Sequence, residues 1–157
     1  MNEAYVDCYS TEIPNRVPFP EFIFAFYTTS LFKLERLILK LAVSKPSTDA
    51  QARQLADGII EKFAAWYVEN RSENEILMCD FVGRTRSWLM VTPVTMDNGA
   101  LTRLYFGSAI VPIRNSKTGK LSLGFGYQAL LGFHKVYSAL LLHFAKSSIM
   151  SQRSKAS

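Results

Sequence analysis

Residues 84–113 read RTRSWLMVTPVTMDNGALTRLYFGSAIVPI, and this stretch decides the fold. Two runs rich in β-branched and aromatic residues flank Met96-Asp97-Asn98-Gly99. An Asn-Gly pair between such runs is the strongest short-range sign of a β-hairpin, because both residues tolerate the positive φ angles of a tight turn. Two long antiparallel strands are therefore predicted, with Arg84, Arg86, Trp88 and Met90 on one face of the first. Arg103 and Tyr105 share a face of the second.

Upstream of the hairpin, FAAWYVEN at 63–70 and EILMCDFV at 75–82 have strand character, joined by the turn-like Arg71-Ser72-Glu73-Asn74. Gly83 separates them from the hairpin. Earlier still the period changes to that of a helix. Thr48 followed by Gln51 forms a capping box that opens a short helix to Asp57, with Gly58 closing it. Before it lies FIFAFYTTSLFKLERLILKLAV at 22–43, entered through Pro20 and Glu21 and ended by Lys45-Pro46. Thr28-Thr29-Ser30 divides this run into two helices, with Thr29 or Ser30 capping the second. In that second helix Leu34, Leu37, Ile38 and Leu41 make one stripe, and Lys33, Glu35, Arg36 and Lys40 occupy the rest. AYVDCYS at 4–10 reads as a first strand, followed by a loop over 13–18. Downstream, residues 115–120 are a polar loop, and a long helix is predicted from 123 to about 149. The order is β–α–α–α–β–β–β–β–α. Segregated strands and helices indicate an α+β fold, a curved antiparallel sheet packed on a long C-terminal helix. We read 1–150 as a single domain and 151–157 as a disordered basic tail.

Composition narrows the function classes. Of 157 residues, 48% are hydrophobic and 13% aromatic, enough to build one core and too much for a disordered chain. Eighteen Lys and Arg against 13 Asp and Glu give +5, but the bases are scattered and do not interleave with aromatics, so no nucleic-acid partner is expected. The uncharged runs at 22–32 and 121–133 are shorter than the roughly 18 residues a spanning helix needs, so no transmembrane segment is expected. Cys8 and Cys79 lack metal-ligand or disulfide spacing, and the opening Met1-Asn2-Glu3-Ala4-Tyr5 lacks the pattern of a secretory signal. A cytoplasmic protein without metal or cofactor is the expectation. Gly124-Phe125-Gly126 lacks the third glycine of a dinucleotide fingerprint, and no nucleophile elbow occurs.

Three stretches carry a family resemblance: AYVDCYS at 4–10, LFKLERLILKL at 31–41 and GFHKVYSALLL at 132–142. With the order of elements, they make the chain similar to an uncharacterised bacterial family of START-like, or helix-grip, domains, sometimes fused to NAD(P)-binding epimerase-type domains. Gly132 stands where that family has proline. The resemblance covers nearly the whole chain. It implies an apolar cavity between sheet and final helix, in which many START-like domains bind lipids or other hydrophobic small molecules.

Against that frame the candidate ligand-binding residues are Asp80, Arg84, Arg86, Trp88, Arg103, Tyr105, Tyr127, His134 and Tyr137. Asp80 sits on a strand apolar on both faces, so it is either a surface or inter-strand ion-pair partner or a cavity acid. His134 lies on the last helix beside Tyr127 and Tyr137 at helical spacing, as a hydrogen-bonded core residue or a polar contact at the cavity mouth. Arg84, Arg86 and Arg103 beside Trp88 and Tyr105 either line the sheet's solvent side or anchor an anionic headgroup.

Three functions remain open. The leading one is a module that binds a hydrophobic or amphiphilic small molecule. The second is a small cyclase- or isomerase-type enzyme, with Asp80 and His134 as acid–base groups and an arginine holding an anionic substrate. The third is a homodimerising interaction domain, because Phe19, Phe22, Phe24, Phe26, Tyr27 and Phe32 cannot all face one core. The sequence also predicts a gate. Residues 19–29 would move as a flap, while 31–43 stay packed through the leucine stripe.

Overall fold

The computed structural model of the chain describes residues 5–44, 46–96, 99–111, 113–114, 121–122 and 125–156, with side chains of the final helix described from Lys135 onward. In chain order the elements are β1 (Tyr5–Pro14), α1 (Phe19–Tyr27), α2 (Ser30–Val43), α3 (Asp49–Ala56), β2 (Lys62–Phe63), β3 (Trp66–Arg71) and β4 (Glu75–Asp80). There follow β5 (Thr85–Met96), β6 (Gly99–Ile110), the short β7 (Ile113–Arg114) and β8 (Leu121–Ser122), and α4 (Phe125–Ala156). The fold is α+β.

The hairpin at the centre of the sequence is also the centre of the sheet. β5 and β6 pair from Thr85↔Ile110 to Met96↔Gly99. The six strands run β1-β6-β5-β4-β3-β2, each antiparallel to its neighbours, and β7 and β8 form a separate pair. Register fixes the faces. Ser87, Leu89 and Val91 of β5 stand beside Ser108, Phe106 and Leu104 of β6 on the helix-bearing side. Arg86, Trp88 and Met90 fall on the opposite side, as alternation requires.

β1 is longer than the sequence reading, running to Pro14 because it follows β6 as far as Leu101. Past its end, the Thr102 hydroxyl donates to the Asn15 carbonyl (2.9 Å) and accepts from the Val17 amide (2.9 Å), which turns the chain into α1. Thr29 makes the break that was expected after it. Its hydroxyl donates to the Phe26 carbonyl (3.0 Å) and accepts from the Phe32 amide (3.1 Å), so one side chain ends α1 and caps α2. The Thr48–Gln51 capping box opens α3 as the spacing predicts.

Two expectations about the helices are reversed. α1 is the most enclosed helix: Phe22, Ile23, Phe26 and Tyr27 are each at most 1% exposed. It packs on α3, α4 and the sheet at once, so residues 100° apart all find apolar partners. Phe24 lies under the Arg53 guanidinium, 3.8 Å from its ring centre. The aromatics that argued for a flap or a dimer surface are therefore core, or tied to it.

α2 shows the opposite. Leu34, Leu37, Ile38 and Leu41 are 51–76% exposed, while Arg36 is buried. Arg36 donates to the Ser47 hydroxyl (2.9 Å), the Ser47 carbonyl (2.6 Å) and Asp49 (2.6 Å), and lies 5.6 Å over the Phe63 ring. Lys33 reaches the same carboxylate (2.6 Å) and, with Arg36, holds Asp49 below the usual carboxylate range. A helix sewn down by a satisfied guanidinium cannot also turn its leucines inward, and the polar face wins.

The tail is also corrected. α4 continues to Ala156. Arg153 donates twice to Glu21 of α1 (3.0 and 2.8 Å) and once to the Arg16 carbonyl (2.8 Å), and Ile149 is fully buried. Burial of each large apolar core side chain stabilises the fold by about 1.5–3 kcal/mol. Among the described residues, no helix is long and apolar enough to cross a membrane.

Candidate functional site

Between the sheet and the helices lies a cavity of about 530 Å³. Its volume falls in the roughly 300–1,000 Å³ range of small-molecule sites. Phe26, Leu31, Phe32, Trp66, Phe106 and Leu141 supply apolar wall. α2 contributes Leu31 and Glu35 to the wall, with the largely exposed Leu34 and Ile38 at its rim.

Glu35 is the residue the sequence reading passed over, placed there among the solvated positions of α2. It lines the cavity, and the Tyr137 hydroxyl donates to its Oε2. Burial raises the Glu35 carboxyl above the usual range, against the opposing pull of Tyr137 and the Trp66 indole. Tyr137 is pushed up in turn, by burial and by the negative charge beside it. The available signal was the spacing Phe32, Glu35, Arg36. Residues three and four beyond a core phenylalanine share its side of a helix.

Tyr27 also lines the cavity. It is 1% exposed, and its phenol oxygen has no hydrogen-bond partner among the described residues. Burial raises its pKa strongly; the nearby Ser87 hydroxyl acts against this without reaching hydrogen-bonding geometry. Ser87 and Ser108 line the same wall, and Ser108 donates to Asp7 of β1 (2.6 Å).

The predicted residues divide into three groups. Asp80 and Tyr137 line the cavity, and Arg86 borders it from the strand end while its guanidinium stays with Glu69 and Gly83 on the opposite face of the sheet. Asp80 caps the turn after β4, accepting from the Arg84 amide (2.7 Å), and Arg84 itself is not part of the lining. Arg86 is held by Glu69 through two hydrogen bonds of 3.0 Å and by the Gly83 carbonyl (2.7 Å). Trp88, Arg103 and Tyr105 stand on the far face of the sheet, away from the cavity, which corrects their placement as part of one site. Trp88 donates to Glu75 (3.0 Å), Arg103 pairs with Glu12 (2.6 Å), and the Trp88 and Tyr105 rings lie 6.2 Å apart. Strand alternation puts them there. Tyr127 and His134 belong to α4, but their side chains lie outside the described residues, and so does any convergence of His134 with Asp80.

Among the described residues, no group of three or more His, Cys, Asp or Glu side chains is arranged to hold a metal ion. Neither a family model nor a curated protein matches the chain. Among solved structures, it is similar to an uncharacterised protein from Rhizobium leguminosarum at 9% identity, covering 94% of this chain and 99% of that one. The TM-score is 0.29, too low to carry an argument about fold or function.

Proposed function

We propose that this chain is a helix-grip, START-like domain that binds a hydrophobic or amphiphilic small molecule between its sheet and helices. The cavity of about 530 Å³ carries the reading. Its walls are largely aromatic and aliphatic, with a few polar groups held at fixed points, which is the general construction of small-molecule sites. The order of the six strands and the long final helix support the same architecture.

Native mass spectrometry of the purified chain, with displacement of a neutral fluorescent hydrophobe, tests it. Retained or saturable ligand supports the reading. A folded protein that binds neither ends it.

A second reading is favoured by one observation, the Glu35–Tyr137 pair inside an apolar cavity. A carboxyl raised by burial beside a phenol is a competent acid–base arrangement for proton transfer on a bound substrate. It replaces Asp80 as the acid for such chemistry, since Asp80 is occupied by the Arg84 amide. Deuterium exchange into ketone-bearing hydrophobes, lost in Glu35→Gln, distinguishes an enzyme from a carrier.

A further inference from the structure

The polar groups of the cavity wall define which end-group a ligand can bring. On the acceptor side stands the Glu35 carboxyl, fixed by Tyr137. In the same cavity wall stands the Tyr27 phenol, wholly enclosed and without a hydrogen-bond partner among the described residues. An enclosed hydroxyl left unpaired costs about 1–3 kcal/mol, so a ligand group that satisfies it is favoured by a comparable amount. Among the described lining residues the single cation is Arg86, and its guanidinium is committed to Glu69 and Gly83. The wall also carries a second acid, Asp80. Among the described residues the cavity thus has hydrogen-bonding capacity on both sides of the exchange and no uncommitted cation.

We infer that the cavity selects a neutral hydrophobe ending in a hydroxyl group, and rejects the carboxylate of the same chain. This rests on the ligand-binding reading above. An alcohol donates its proton to Glu35 and accepts from Tyr27 through its oxygen lone pairs, so both wall groups are answered by one atom. A carboxylate meets Glu35 at close range in a medium of low dielectric, where like charges repel strongly, and the described cations nearby, Arg86 and Arg71, are already committed to Glu69, Gly83 and the Leu55 and Ala56 carbonyls. An ammonium group has no lone pair to accept the Tyr27 proton, and it gives up more hydration than a hydroxyl on entering the cavity. The aromatic lining receives the apolar body in all three cases, so the headgroup alone decides.

The test displaces N-phenyl-1-naphthylamine from the full chain with 1-decanol, decanoate and decylammonium near neutral pH. Decanol is expected to bind about tenfold or more tightly than decanoate. Tyr27→Phe keeps the shape of the core and is expected to weaken decanol by roughly tenfold. Glu35→Gln removes the charge and narrows the gap between decanol and decanoate. Circular dichroism confirms that each variant folds, and if Glu35→Gln does not, Tyr27→Phe alone carries the test. Decanoate or decylammonium binding the unaltered chain as tightly as decanol overturns the headgroup inference and leaves the ligand-binding reading standing. Equal decanol affinity in Tyr27→Phe also overturns it. Failure of the probe and all three compounds to bind the folded chain overturns both.

Discussion

The Tyr137 hydroxyl donates to Glu35, joining α4 to α2 between residues 102 positions apart. Among the described residues few other contacts tie α2 to α4, so this one hydrogen bond has structural weight. Removing it strands a carboxylate in an apolar interior. We expect Tyr137→Phe to destabilise the fold by about 1–3 kcal/mol, with Glu35→Gln costing less because an amide needs less solvation. Urea unfolding of both variants and the double variant measures the coupling. Purely additive effects would show that the two side chains do not act on each other.

The raised Glu35 carboxyl gives stability a pH signature. A carboxyl that binds its proton more tightly when folded keeps protons that the unfolded chain has released. Stability attributed to Glu35 is therefore largest below the ordinary glutamate range and is lost as pH rises toward the folded-state value. The difference in Tm between the unaltered chain and Glu35→Gln isolates this group from the other carboxylates. We expect that difference to move against the unaltered chain as pH rises from 4.5, the ordinary value for glutamate. Movement in the other direction would mean that the carboxylate form is the stabilised one.

On the far face of the sheet, Gly107 lets Trp88 cross β6. A Cβ there would sit 3.2 Å from the Asp7 carbonyl oxygen and 3.2 Å from Cε3 of Trp88. Backbone cannot yield easily, so Gly107→Ala is expected to cost about 1–3 kcal/mol. Chemical denaturation checks this. Adding Trp88→Leu should return part of the loss by relieving one of the two contacts.

Amide hydrogen exchange should rank the helices by burial. α1, enclosed on three sides, is expected to exchange near the global unfolding rate. α2, with its leucines outward, should open in smaller units and exchange faster. Slower exchange in α2 on addition of a cavity ligand would make it the moving wall. Faster exchange in α1 than in α2 would restore the flap expected at residues 19–29.

Much of this architecture is legible in local sequence. The hairpin closed by Met96 and Gly99, the Thr29 break and the Thr48–Gln51 box each depend on residues within a few positions of one another. The rotation of α2 does not. Its apolar stripe names the leucines as the packed face, and the answer is set by Ser47 and Asp49, which bind Arg36 only once α3 is in place. The cavity was legible as an expectation of the resemblance. Its polar contents were not, because Glu35 looks like one more solvated helix position until Tyr137 arrives from across the fold. Asp80 stands out as an acid on an apolar strand, and Tyr137 enters as a helical neighbour of His134. Trp88, Arg103 and Tyr105 were grouped by chemistry alone, and the two-residue period of the strands separated them from the cavity.

β1 pairs along its whole length with β6, and the Asp7–Ser108 hydrogen bond spans 101 positions. For a ribosome feeding the chain out at about 5–20 residues per second, that pairing has a timing. The first strand and the aromatic helix after it emerge many seconds before the strand and helix that cover them. Through that interval Phe22, Ile23 and Phe26 have no sheet to rest on. Long-range pairing of this kind slows folding and lengthens the exposure of sticky surface. A chain ended before residue 110 would therefore lack the strand that pairs with β1, and its most apolar helix would stay uncovered.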